Sequence, residues 1–396
     1  MPSFFTPQRL TMLIFFMQPI AFGSWLPRIP DVQNALSLGP ATLAIALLGL
    51  PCGTLLTLPF AGPLVGRIGA KSAIVYGFML YCIAISLPGF AMSLPVLFVA
   101  LMLAGSSISF VELGLNVMAD RVEKETGSVI MSTSHGCWSL GIMAGSVIGS
   151  LLAGAGVEAR WAIMGVSIVS LPIALLIAGQ LHDYGPEQHV AAAEQRSAWS
   201  PPSWALLGIG AFVFGITITE GAMADWSAVF LRNAFSAPPA EAGIGYSVFA
   251  FLVATGRFGG DSLRKRFGGV TLARAFGLLA LVGVGILLVA PTTMIALIGF
   301  GIVGLGVSVG FPLAVTAAAS LTDRASSGNV AILSFIALVG FLVGPPVIGF
   351  IAEHVAIRIG LAALLPVLAL SLVTTGRLVP SRPQIADPQA NVPGVL

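Results

Sequence analysis

A carboxylic acid, an amide, an imidazole and a guanidinium sit inside stretches that are otherwise apolar. Those few groups carry most of the chemistry this sequence can do. Glu112 lies deep in an apolar run with Asn116 four residues on, a spacing that puts both on one helical face. An ionised carboxylate at the centre of a membrane helix costs about 2.5–3.5 kcal/mol on insertion scales, so either a proton or a partner must offset it. Glu112 therefore reads as a group that exchanges a proton. His135, in the next apolar run, falls at a similar depth, and imidazole and carboxylate facing each other would form a proton relay. The alternative is a neutral ring bonded to a backbone carbonyl. Gln18 cannot titrate but offers both a donor and an acceptor, for a solute or for a neighbouring helix. Pro19 beside it loosens the helix.

The remaining polar groups suggest gates. Glu220 lies roughly 24 Å along its apolar run at 1.5 Å per residue, which places it on the outer side of the midplane, at a cavity or an outer gate. Asp225 follows near the outer interface, where Arg28 at the end of the first run is a candidate partner. Trp226 reads as an interfacial aromatic anchor. Arg257 and Asp261, four residues apart, could form an ion pair on one helical face, or simply snorkel at a helix end.

The elements that must position these groups follow from composition. The chain has 396 residues, 57% of them apolar, against only 18 Lys and Arg and 16 Asp and Glu. Such a chain must expose oily surface, which a bilayer accepts and water does not. Twelve apolar segments are long enough to cross, approximately 9–29, 40–65, 71–90, 94–118, 130–153 and 160–179, then 204–230, 242–262, 270–290, 293–317, 328–352 and 358–378. The dyad alternation of a membrane β-barrel is missing. The fold class expected is an all-α membrane protein, with a first six-helix bundle over 1–180, a linker over 181–203, a second bundle over 204–380 and a tail over 381–396. Arg67, Lys71, Arg121, Lys124, Arg264, Lys265 and Arg266 fall on one side of the alternating topology, whereas Arg28, Arg160, Arg232 and Arg358 fall on the other. The positive-inside rule then puts both termini in the cytoplasm. The first segment lacks a small-x-small cleavage site and is followed by eleven more, so it reads as a span and not a signal peptide.

Several functions are excluded or disfavoured. A net charge of +2 without a basic run does not suit nucleic acid. Cys52, Cys82 and Cys137 match no metal or redox spacing, and no metal site, nucleophile–base pair or cofactor motif is evident. Gly66-x-x-Gly69-Ala70-Lys71-Ser72 fails as a phosphate loop, because Ala70 stands where glycine is needed and no strand precedes it. No enzymatic activity and no cofactor are expected. Gly141, Gly145 and Gly149 form a small-residue stripe suited to close helix packing, and Gly340 and Gly344 repeat part of it.

An internal repeat supports two related halves. Gly62, Leu64, Arg67 and Gly69 recur as Asp261, Leu263, Arg266 and Gly268, each displaced by 199 residues. Twelve segments in two sixes, a polar linker and Gly-x-Leu-x-x-Arg-x-Gly after the second segment resemble the major facilitator superfamily. Glu220-Gly-Ala-Met-Ala-Asp225-Trp226-Ser227, His135-x-x-Trp138-Ser139-x-Gly141 and Gly344-Pro345-Pro346 resemble the bacterial YbjJ-type subgroup, related to fucose-permease-like sugar transporters. The resemblance implies alternating access between two bundles around a central site, with Arg67, Arg257, Asp261, Arg266, Arg28 and Asp225 as candidate gating groups. It also implies a proton-coupled carriage of a small polar solute past Gln18, Glu112, Asn116, His135, Trp138 and Glu220, in a monomer of the inner membrane. The pattern departs from the family at Gly66 and Lys265, where the loop acid is missing, and in helix 1, which has no acid. An exporter of amphiphilic compounds, or a membrane sensor of the same fold, are the alternatives.

Overall fold

The computed structural model describes residues 5–128, 130–185, 201–323 and 326–379. Most of the expected linker and the whole tail over 381–396 lie outside those residues. Twelve spans, named here in chain order, are long and apolar enough to cross a bilayer: α1 Pro7–Ala35, α2 Pro40–Ile68, α3 Ala70–Phe90, α4 Leu94–Thr126, α5 Thr133–Gly154 and α6 Ala159–Gln180, then α7 Trp204–Phe235, α8 Pro239–Gly260, α9 Gly269–Val289, α10 Thr293–Ala319, α11 Gly328–His354 and α12 Ile357–Leu378. An even number of crossings brings the start of α1 and the end of α12 to one face, called the terminal face below. Phe60, Leu176, Val289 and Val373 are largely exposed, the surface that lipid covers.

The breaks in four of these spans fall just before a proline, whereas Pro19, Pro59, Pro63, Pro172, Pro345 and Pro346 lie inside continuous helices, so the expected loosening at Pro19 does not interrupt its helix. A proline lacks the N–H that would bond the carbonyl four residues earlier. α1 tightens into a 3-10 turn at Leu26–Arg28, upstream of Pro30; α2 is interrupted at Leu48, next to the carbonyl that Pro51 leaves free; α10 breaks at Ser308–Val309 before Pro312; and α12 breaks at Ala363 before Pro366.

Glycine sets how the helices pack. A Cβ on Gly141, Gly145 or Gly149 would lie 2.0, 2.1 or 2.5 Å from the carbonyl oxygens of Phe16, Ile20 and Ser24, so α5 runs against the backbone of α1. In the second half Gly340 and Gly344 face α7 at Phe214–Ile218. A Cβ on Gly105 would lie 1.9 Å from the Leu50 carbonyl oxygen, and one on Gly304 2.3 Å from that of Phe249. Both members of that pair are displaced by the same 199 residues seen in the sequence, so the two six-helix bundles share a packing plan as well as a motif.

The bundles meet along α5 and α8, which run antiparallel. Gly154 faces Ala240, Ser150 and Ser146 face Gly243, and Gly136 faces Phe258. The Ser247 hydroxyl donates to Ser146 Oγ at 2.9 Å. At the face opposite the termini the bundles also meet elsewhere: Gly349 of α11 packs on Pro40 and Ala44 of α2, and Pro27 on Gly243. At the terminal face, a methyl group added to Gly62 or Gly66 of α2 would have no heavy atom of another element within 4 Å. The bundles are packed together on the far side, whereas on the terminal side Gly62 and Gly66 of α2 meet no other element.

Candidate functional site

Between the bundles lies a cavity of about 250 Å³, bordered by α1, α2, α4, α5, α7, α8 and α11. Its walls are mostly apolar, including Phe22, Ile108, Ile142, Phe249 and Phe341. Gln18, Glu112, Trp138, Glu220, Asp225 and Arg257 supply the polar groups, together with Ser139 and Tyr246. A small set of polar groups in an apolar hollow fixes the orientation of a ligand without making it hard to desolvate.

Each group is held from behind. Trp138 Nε1 donates to Gln18 Oε1 at 2.6 Å, joining α5 to α1. The Phe22 amide, one turn beyond Gln18, donates to the Tyr81 hydroxyl at 2.7 Å, which fixes this part of α1 to α3. Arg257 spans the bundles. Its Nη1 donates to Ser139 Oγ at 2.7 Å, and its Nη2 lies 3.3 Å from Glu220 Oε1, with both side chains 16% exposed. Glu220 supplies the counter-charge that a guanidinium at this depth needs. Glu112 and Asp225 border the cavity from opposite bundles and form no ion pair among the described residues.

The structure separates other residues that the sequence had grouped. His135 does not border the cavity; its ring packs edge-on against Phe15, 5.3 Å between centroids, and is not brought together with Glu112. Asn116 is half-buried one turn from Glu112 toward the terminal face, also outside the cavity lining. Arg28 does not pair with Asp225. It is 3% exposed, its Nε lies 2.7 Å from Asp31 Oδ2, and its Nη2 donates to the Val157 carbonyl at 2.6 Å. Asp225 borders the cavity along with Glu220, Gly221 and Ala224; five residues turn it about 140° from Glu220, so α7 presents a broad face to the cavity and not a single stripe. Trp226 is fully buried behind it, with its indole against Gly349, and is not an interfacial anchor.

Arg257 is engaged by Glu220 and Ser139; its expected pairing with Asp261 falls on a side chain that lies outside the described residues. Arg67 is exposed on the terminal face, and Arg266 is exposed with its guanidinium over the Phe267 ring at 5.2 Å.

The far-side closure uses acids that attracted no notice in the sequence. Asp31 of the first bundle binds Arg28 and also lies 3.4 Å from Arg232 of the second. Glu353, at the end of α11, accepts the Ala41 amide at 3.2 Å across the bundle boundary, at the N-terminus of α2. A carboxylate there meets unpaired amides and the positive end of the helix dipole. The Glu353 carboxylate lies 2.6 Å from a would-be Cβ on Gly39, so a side chain there would push it aside.

Comparison with known proteins defines the class. Residues 11–330 match the model of the Major Facilitator Superfamily, and the chain belongs to that family. It is 31% identical to an uncharacterized MFS-type transporter of Yersinia pestis, over 90% of this chain and 92% of the relative. Two solved structures share the fold. The nucleoside transporter NupG superposes with a TM-score of 0.70 at 13% identity, covering 94% of this chain and 98% of its own. A bacterial homologue of the human lysosomal transporter Spinster, in an inward-facing and occupied conformation, gives 0.68 at 16% identity, covering 94% and 95%. The chain is thus a multi-pass membrane protein of a secondary-transporter family.

Proposed function

We propose that this protein carries a small polar solute across a bacterial inner membrane by alternating access, coupled to protons through Glu112. The observation that carries this is the convergence of Gln18, Glu112, Trp138 and Glu220, from both bundles, on one closed-ended cavity. A carboxyl group facing such a cavity can be neutral while the cavity is dry and exchange its proton when either side wets it. The distribution of Lys and Arg supports a cytoplasmic terminal face, and the cavity then opens inward. We assign the bundle boundaries to the polar stretch between α6 and α7, and the gating roles to Arg257 at the terminal-side end of the cavity and Arg28 at the far closure. The resemblance to fucose-permease-like transporters supports a sugar-like solute. Apolar walls favour the second reading, export of an amphiphile, and the absence of Asn116 from the lining weakens the sugar-like pattern.

Uptake into proteoliposomes under an imposed proton gradient tests the proposal. A panel of hexoses, cyclitols, sugar acids and amphiphilic amines is offered to the wild-type protein and to Glu112→Gln. Gradient-driven accumulation of one class, lost in Glu112→Gln while solute exchange without a gradient persists, is the expected outcome. Accumulation undiminished in the variant would remove Glu112 from coupling, and a solute that binds but never crosses would favour a sensor.

A further inference from the structure

The bond between Trp138 and Gln18 decides which end of the amide faces the cavity. An indole N–H only donates, so the atom it touches at 2.6 Å must be the Gln18 oxygen. The Gln18 amide NH2 therefore points away from Trp138. Gln18 is 1% exposed and borders the cavity, and its Nε2 has no protein acceptor among the described residues. That nitrogen is not among the fully sealed buried atoms, so it keeps a little access to the cavity although Gln18 as a whole is almost entirely buried. A buried amide NH2 without an acceptor costs about 1–3 kcal/mol, so an occupant that supplies one gains that much in selectivity.

Building on the transport proposal above, we infer that Gln18, locked by Trp138, is a donor-only recognition group for an oxygen of a neutral polyhydroxylated solute. Three carboxyl groups and one guanidinium face the cavity, and Arg257 already gives one hydrogen bond to Ser139 and one to Glu220. A solute carboxylate therefore has to share a cation that Glu220 already neutralises, with further acids nearby. An ammonium group has only donors and cannot itself answer the Gln18 NH2, so a solute must bring an oxygen to that position. A hydroxyl answers both kinds of group: its oxygen accepts from Gln18, and it donates to a carboxylate or accepts from a protonated carboxyl as Glu112 changes state. The cavity of about 250 Å³ is at the small end of ligand pockets, which typically run about 300–1,000 Å³, and so suits a single ring and not a chain. Ile108 and Ile142 offer the apolar wall on which the C–H face of such a ring can lie.

In this scheme Trp138 is a positioning residue, acting only through Gln18. The test measures thermal stabilisation of the full-length protein by glucose, myo-inositol, gluconate and glucosamine, with uptake followed in parallel. Trp138→Phe keeps the ring and removes the N–H; Gln18→Leu removes the donor; a third variant carries both changes. Stabilisation is expected from a neutral member of the panel, with affinity about tenfold weaker in Trp138→Phe. That corresponds to the loss of one hydrogen bond's worth of discrimination. Gln18→Leu should lose at least as much, and the double variant no more than Gln18→Leu alone. Independent, additive losses, or a lowered melting temperature without solute and unchanged affinity with it, would show that Trp138 serves packing only and overturn the inference. Response to gluconate or glucosamine alone would also overturn it while leaving transport intact. A neutral solute that binds with the expected variant pattern and never accumulates would instead overturn transport and leave the recognition role standing.

Discussion

Removing Glu220 should strand Arg257, and the size of the effect follows from its surroundings. The two side chains are each 16% exposed and approach to 3.3 Å. Breaking a buried ion pair by deleting one partner costs about 3–5 kcal/mol. Arg257 keeps its bond to Ser139 and has some access to the cavity, which lowers the expected cost of Glu220→Leu to about 1–3 kcal/mol. Arg257→Met should cost less, because a lone Glu220 can take up a proton and become neutral. The double variant replaces both charges with apolar groups and should recover part of the loss, for a coupling energy of about 1–2 kcal/mol. For a body the size of one bundle, each kcal/mol moves the melting temperature by about 2–4 °C. Thermal unfolding of the four proteins in one detergent measures the cycle. Additive losses, with coupling under about 0.5 kcal/mol, would refute the claim that these two groups neutralise each other.

Other consequences follow from the same contacts. Gly141→Ala and Gly145→Ala should each cost several kcal/mol, since the new methyl group meets α1 backbone oxygens at 2.0 and 2.1 Å; Gly62→Ala and Gly66→Ala meet nothing and should be neutral, or up to about 1 kcal/mol stabilising. Equilibrium thermal unfolding separates the two sets. Asp31→Asn removes the anion shared by Arg28 and Arg232 and should raise the far-side-open population several-fold, read as longer distances between spin labels at the ends of α1 and α7. Glu353→Gln keeps a weaker acceptor for the Ala41 amide and should shift the same distances in the same direction but less, because Glu353 is exposed and screened.

Much of the fold was legible because its causes are local or periodic. Twelve apolar runs, the 199-residue repeat and the glycine stripe all express backbone-level constraints; the helix breaks at Leu48, Ser308 and Ala363 emerge only in the structure, because other prolines sit inside continuous helices. Gln18, Glu112 and Glu220 stood out because a polar group in an apolar run has few reasons to be there. Partnerships were less legible. The partners of Arg257 among the described residues come from α5 and α7, 118 and 37 residues away, which no local spacing signals. Arg28 found Asp31 three residues on, where the sequence suggested a distant acid. Depth alone placed His135 beside Glu112, but depth says nothing about which way a helix face turns, and the imidazole turns to Phe15. Asp31 and Glu353 sit at helix ends and look like ordinary interfacial charges until the second bundle is seen against them.

Whether the space between the bundles is reached from both sides is the most direct test of the account. A single cysteine at Ala224, which borders the cavity beside Asp225, can be placed in a chain whose Cys52, Cys82 and Cys137 are serine. In oriented vesicles a membrane-impermeant maleimide should label it readily from the terminal face, and from the far face only slowly, with that slow rate rising several-fold when Asp31→Asn is added. Labelling from neither face, or from the terminal face alone even when the far closure is weakened, would contradict alternating access to this cavity.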